Sequence, residues 1–374
     1  MKIFAEGTAP SRTATYRGFA IRGAVFAACL TLFAILAAFI SPQRIAAQQQ
    51  AASASPSAPT QDYLVYVVCE SADKVVQRPA RNRGLAGQRV CARIPRPRTA
   101  EWFCLETETD DVIRYTPLGL FPATMDISRD GEFIWVANAN FHGDMVPSSI
   151  SVVATGEMVE VKRITTCTMP HGSRLNPQGT KQYSACMMDD MLAEIDTHKF
   201  DVSRHFLLTK DKEMGMSGAP HGQMKMGELT CVPTWAQPSN DGEEIYVACN
   251  KSNEIAVVDV ASWKLSRRFP AGNGVYNLAM TKDGRLIATN KRGQSVSVFD
   301  PKTGKELAKL PTKRKVVHGA VVTPDNRYAF ISVEGVGTDP GTVEVIDLQS
   351  LKTVTTIDVP EQAAGIDFWK TENK

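Results

Sequence analysis

Net charge is what this chain most lacks. Across 374 residues, 42 Lys and Arg stand against 40 Asp and Glu, a formal +2. Residues 1–47 hold five of the basic residues and one acid, so the remainder carries 37 against 39, or −2. No field of one sign invites nucleic acid. The usual signatures of chemistry are missing too: there is no Gly-x-Ser-x-Gly elbow, phosphate loop, Cys-x-x-Cys-His haem attachment or His-Glu-x-x-His zinc motif. Helical periodicity is almost absent, and only six histidines occur in the whole chain.

What is there is repetition. Five segments superpose on the turn pairs Asp130-Gly131, Gln178-Gly179, Asp241-Gly242, Asp283-Gly284 and Asp325-Asn326, and the intervals 241 to 283 and 283 to 325 are both 42 residues. A period of that length means a repeat architecture. Each unit runs from a proline or small residue through an alternating apolar strand to the turn. A β-branched and aromatic strand such as Glu244–Asn250 follows, then a third like Glu254–Asp259, then a fourth containing Leu265 and Phe269. Four short antiparallel strands per unit predict an all-β chain folded as a β-propeller.

The segments Ile245–Asp259, Leu286–Asp300 and Tyr328–Asp347, with a strand ending near Val-Ala/Thr-Asn followed by one ending in Val-Asp, resemble the YVTN β-propeller repeat. The resemblance covers residues 119–374 and, in part, 62–76. It implies the fold and leaves the chemistry open, because relatives of this repeat include surface-layer proteins, sugar lactonases and the propellers of nitrous oxide and nitrite reductases. Four histidines on one face are few for the copper cluster of the nitrous oxide reductase propeller, which argues against that reaction.

Gly365-Ile366-Asp367-Phe368-Trp369 aligns with the first strand of a unit, and Tyr63–Cys69 with a second strand. One blade is therefore expected to combine both termini, which removes exposed strand edges. Residues 62–374 leave room for seven four-stranded blades, with six as the alternative. Residues 77–105 break the pattern: Arg78 to Arg98 contain seven arginines, three prolines and no acid. This segment reads as a degenerate blade or solvated insertion, with a basic loop for an anionic partner or a disrupted reading frame as alternatives.

Ahead of the propeller, Arg12, Arg17 and Arg22 precede an uninterrupted apolar stretch from Gly23 to Ile40, and Ala47 ends a small-residue segment. Residues 1–47 read as a secretory signal or an uncleaved anchor in the inner membrane, and 48–61 as a flexible linker. Either way the propeller is expected in the periplasm or outside the cell, where disulfides are permitted.

Seven positions before the first residue of each turn pair stand Ala123, His171, Thr234, Tyr276 and His318, at the entry to each innermost strand. Loops leaving the second strands open on the same face and carry His142 in one unit and Met187 and Met188 in the next. A long connection over 209–228 is expected there as well, and its 13 residues 214–226 contain His221, Met214, Met216, Met224 and Met226. Imidazole with thioether suits copper, Cu(I) especially. The site expected is a copper ion on His171 and His318, helped by His142, His221, Met187, Met188, Met214, Met216, Met224 and Met226.

Blander readings stand beside it. A His-Gly strand entry can be structural, its imidazole bonding a neighbouring blade's backbone while glycine permits close approach. A Met-rich loop can be an adaptable docking patch for a protein partner. His198 and His205 read as solvated or structural. A hydrolytic site would draw on Asp126, Glu334, Asp189 or Asp190. Cys167 with Cys186 and Cys231 with Cys249 are plausible disulfides because their positions lie side by side within a blade, while small apolar packing is the alternative for Cys69, Cys186 and Cys249. The function expected is a cell-envelope binding propeller. A lactonase-like hydrolase, a metal-dependent oxidoreductase and a pure interaction scaffold are the alternatives.

Overall fold

The computed structural model describes residues 62–69, 74–79, 90–93, 101–105, 112–141, 143–220 and 229–372. Those residues form 27 strands and no helix, arranged as seven successive blades in six sheets. The first blade is β1 (Asp62–Cys69), β2 (Lys74–Pro79) and β3 (Val90–Arg93), completed on its inner side by β27 (Ala363–Glu372). The second has two described strands, β4 (Glu101–Leu105) and β5 (Val112–Pro117). The third holds β6 (Pro122–Ile127), β7 (Phe133–Asn138), β8 (Pro147–Ala154) and β9 (Val159–Thr168).

The fourth blade has five strands: β10 (Pro170–Leu175), β11 (Lys181–Cys186), β12 (Met191–Asp196), β13 (Asp201–Leu207) and β14 (Met214–Ser217). The fifth holds β15 (Pro233–Pro238), β16 (Glu244–Cys249), β17 (Glu254–Asp259) and β18 (Lys264–Pro270). The sixth holds β19 (Val275–Met280), β20 (Leu286–Asn290), β21 (Ser295–Asp300) and β22 (Lys305–Pro311), and the seventh β23 (Val317–Val322), β24 (Tyr328–Val333), β25 (Gly341–Asp347) and β26 (Lys352–Val359). A single parallel bridge, Gly172 to Trp235, ties the fourth and fifth blades into one continuous sheet.

The termini close the ring as the alignment predicts. Strand β27 pairs antiparallel with β1, from Asp62 opposite Glu372 to Cys69 opposite Ala363. Tyr63 packs edge-on against Tyr328, and its hydroxyl donates to Asp325 at 2.6 Å, so the closing blade is fastened to the seventh. Between blades the inner and middle strands supply the core: Trp235, Tyr246, Leu278 and Phe299 form one such layer, and Tyr63, Phe330 and Val345 another. Each large side chain so buried contributes about 2–3 kcal/mol.

At each turn pair the second residue has positive φ: Gly131, Gly179, Gly242, Gly284 and Asn326. Glycine and asparagine tolerate that region, which is why these residues mark the repeat. Each turn also reaches the next blade. Arg129 donates to the Pro177 carbonyl, Gln178 to that of Asp241, Asn240 to that of Thr281, and the Lys282 N–H to Asn326 Oδ1.

Candidate functional site at the channel mouth

Every inner strand from β6 to β23 bulges near its start, where the ladder shifts between Pro122 and Thr124, Pro170 and Ser173, Pro233 and Trp235, Val275 and Leu278, and Val317 and Ala320. The residue before each strand has positive φ: Phe121, Met169, Val232, Gly274 and Val316. Val232 and Val316 are β-branched and strained there. Bulges re-aim side chains, and the positions falling within them are Ala123, His171, Thr234, Tyr276 and His318.

These residues reach from blade to blade. His171 is buried, and its Nδ1 lies 2.8 Å from the Thr234 carbonyl. A carbonyl only accepts, so Nδ1 carries the proton and Nε2 presents its lone pair to the Tyr276 hydroxyl at 3.1 Å. Thr234 Oγ1 in turn donates to the Tyr276 carbonyl at 2.8 Å. The Tyr276 ring lies 5.4 Å from His171 and 4.8 Å from His318, and Phe141 packs on the far side of His171 at 5.5 Å. Lys291 Nζ sits 4.3 Å above the Tyr276 ring and pairs with Glu334 at 2.9 Å. Glu334 Oε1 is 3.6 Å from His318 Nε2, beyond hydrogen-bond length.

Both imidazoles are uncharged at neutral pH. Burial pushes His171 down to about 4 against the upward pull of the Thr234 carbonyl, with a smaller downward push from the Lys291 charge. His318 is also held well below its ordinary value, by burial and then by Lys291 and His171. Its side chain keeps 18% of its surface, so it lines accessible space, yet desolvation still dominates. His318 Nδ1 has no hydrogen-bond partner in good geometry, although the Ala364 carbonyl is near enough to favour a proton on the ring.

The close approach that makes this ring of contacts depends on glycine. A Cβ on Gly172 would stand 2.4 Å from the Thr234 oxygen, and one on Gly319 would stand 2.9 Å from the Ala364 oxygen. The structural expectation for the His-Gly entries holds at His171, whose Nδ1 serves the neighbouring backbone while Nε2 accepts from Tyr276, and it holds less fully at His318, whose Nδ1 makes no hydrogen bond. Two disulfides pin the same region. The expected pairings both form, but Cys167 lies on β9, so Cys167–Cys186 joins the end of the third blade to the end of β11 instead of lying within one blade, while Cys231–Cys249 ties the approach to β15 to the end of β16, with Cα atoms 5.8 and 4.4 Å apart. They thus secure the two strands that supply His171 and Thr234.

Several expected residues fall elsewhere. Met214 and Met216 were expected in a loop with the histidines but lie on β14, which adds to the outer edge of the fourth blade opposite Leu207 and His205. The cause is that residues 214–217 pair along β13, and His205 Nδ1 bonds the Gly218 carbonyl at 2.7 Å, fastening the segment to the rim. Met187 and Met188 do lie in the loop after β11, bonded through their backbone N–H groups to Met169 and Thr168. His142, His221, Met224 and Met226 lie outside the described residues.

Of the carboxylates, only Glu334 joins the site. Asp126 accepts from the Leu175 N–H, and buried Asp189 from the Thr168 N–H. Asp190 is also buried and accepts from three successive N–H groups, Thr230, Cys231 and Val232, making a nest that clasps the approach to β15. Among the described residues, no group of three or more His, Cys, Asp or Glu converges as a metal cage. Lys291 was not anticipated. It follows β20 as Met187 follows β11, so the aligned loop position was the available signal.

No family model matches the chain, and no curated protein matches it. Solved structures do. A candidate 6-phosphogluconolactonase from Bacteroides fragilis superposes with a TM-score of 0.60 at 15% identity, covering 84% of this chain and 100% of that one. A counterpart from Bacteroides uniformis gives 0.59 at 14%, covering 83% and 100%. Hydrazine synthase of Kuenenia stuttgartiensis gives 0.54 at 17%, covering 83% and 90%. At these identities the likeness is one of fold, and the fold it shows is the β-propeller.

Proposed function

We propose that this chain is an exported β-propeller binding protein of the cell envelope, built on YVTN-type repeats, whose channel mouth holds Cu(I) through His171 and His318. The observation that carries the reading is the tautomer of His171. A backbone carbonyl holds Nδ1–H, so Nε2 carries the lone pair, which accepts from the hydroxyl of Tyr276, the residue whose ring also touches His318. Such an outer hydrogen bond is how proteins orient metal-binding histidines. Depressed pKa values add to this, because no proton competes for the lone pairs at neutral pH. Two imidazoles suit a low-coordinate soft ion, with the thioethers of Met187 and Met188 on the same face as further donors. The paired cysteines support the export reading.

Competitive titration of Cu(I) against a chromophoric chelator tests this. His171→Ala and His318→Ala are each expected to weaken binding by at least about tenfold, roughly 1.4 kcal/mol. Unchanged affinity and stoichiometry in both would overturn the assignment. A second reading, acid–base chemistry on a small polar substrate, is favoured by one observation: Lys291, Glu334 and His318 meet in partly accessible space. Turnover of a lactone panel in the presence of a strong copper chelator would favour it.

A further inference from the structure

We infer that Tyr276 is the gate of the copper site, its hydroxyl capping the His171 Nε2 lone pair so that a metal ion binds only by displacing that hydrogen bond. The inference rests on the reading above and adds a residue that controls affinity. Tyr276 belongs to β19, two blades along the ring from His171 on β10, and the contact spans 105 residues of sequence. The phenol donates because the imidazole nitrogen it faces carries no proton. Contacts that hold it in place include Lys291 above its ring, Thr234 Oγ1 on its carbonyl, and the two imidazole rings beside it.

Entry of the metal breaks the hydrogen bond that this fixed side chain makes to Nε2, so the exchange of hydrogen bond for metal bond subtracts from affinity. Phenylalanine preserves the ring packing and removes only the oxygen. Tyr276→Phe should therefore leave the fold intact and tighten Cu(I) binding by about two- to tenfold. The gain should vanish in the His171→Ala background.

The experiment is a Cu(I) competition titration of wild type, Tyr276→Phe, His171→Ala and the double variant, alongside nitrogen-15 NMR of His171. Tighter binding in Tyr276→Phe alone, with the Nε2 resonance moved toward that of an unbonded nitrogen, is the expected result. If wild type binds through His171 and Tyr276→Phe binds no more tightly, the gate is overturned and the copper reading stands. If Tyr276→Phe binds and wild type does not, the gate stands and the copper reading of the native chain falls. Binding by neither overturns both. If Tyr276→Phe fails to fold, addition of Ag(I) to wild type decides the matter: His171 Nε2 and Tyr276 ring resonances should shift together, and a shift of His171 alone overturns the gate.

Discussion

His171 is a base that the fold keeps uncharged, and its cost can be read from pH. Its pKa falls from 6.5 to about 4 on folding, mainly by burial. Between those values the unfolded chain binds a proton that the folded chain does not, so stability rises with pH across that window and falls as pH drops from 6.5 toward 4. The full loss is on the order of 3 kcal/mol. Urea denaturation of wild type and His171→Gln at pH 7.5 and pH 4.5 should show the variant losing less stability on acidification. Equal losses would mean that His171 titrates normally. Alignment brought His171, Tyr276 and His318 to one level, because a side chain's place in a repeat is a sequence property. A bond from the imidazole to a neighbouring blade's backbone was legible as the structural reading of His-Gly, but which carbonyl it would meet, Thr234, was not, since that depends on how the blades pack.

At the scale of the element, the site is made by a strand entry: a residue at positive φ, then a bulge, then glycine in two of the blades. Sequence shows the glycines but not the strained Val232 and Val316, because nothing about valine signals that region. Gly172 is the element's test. Its Cβ would meet both the Thr234 oxygen and the Trp235 ring at 2.4 Å, whereas one on Gly179 would meet nothing within 4 Å. Gly172→Ala should push β10 from β15 and cost about 1–3 kcal/mol by overpacking. Gly179→Ala should cost about 1 kcal/mol, from its positive φ alone. Equal losses in chemical denaturation would show that the fourth and fifth blades do not need this approach. The placement of Met214 and Met216 failed at this same scale. Met-Gly-Met-Ser alternates weakly, and its pairing to β13 depends on an edge that only the folded blade presents.

For the whole molecule, the 42-residue period and the matching termini were enough to predict a closed seven-unit ring, and β27 on β1 completes it. Such a ring converges its inner strands on a channel, so residues far apart in sequence become neighbours at its mouth, as His171 and Tyr276 do. The second blade has two described strands where its neighbours each have four. The arginine- and proline-rich stretch of 78–98, expected as a degenerate blade or insertion, instead carries β3 of the first blade and ends before β4 begins. The copper proposal stands on two imidazoles at this mouth. X-ray absorption at the copper edge on the Cu(I)-loaded protein reads the ligands directly. It should show imidazole scattering from two histidines, with one lost in His171→Ala and one in His318→Ala. A spectrum of sulfur scatterers alone, unchanged in both variants, would contradict the claim.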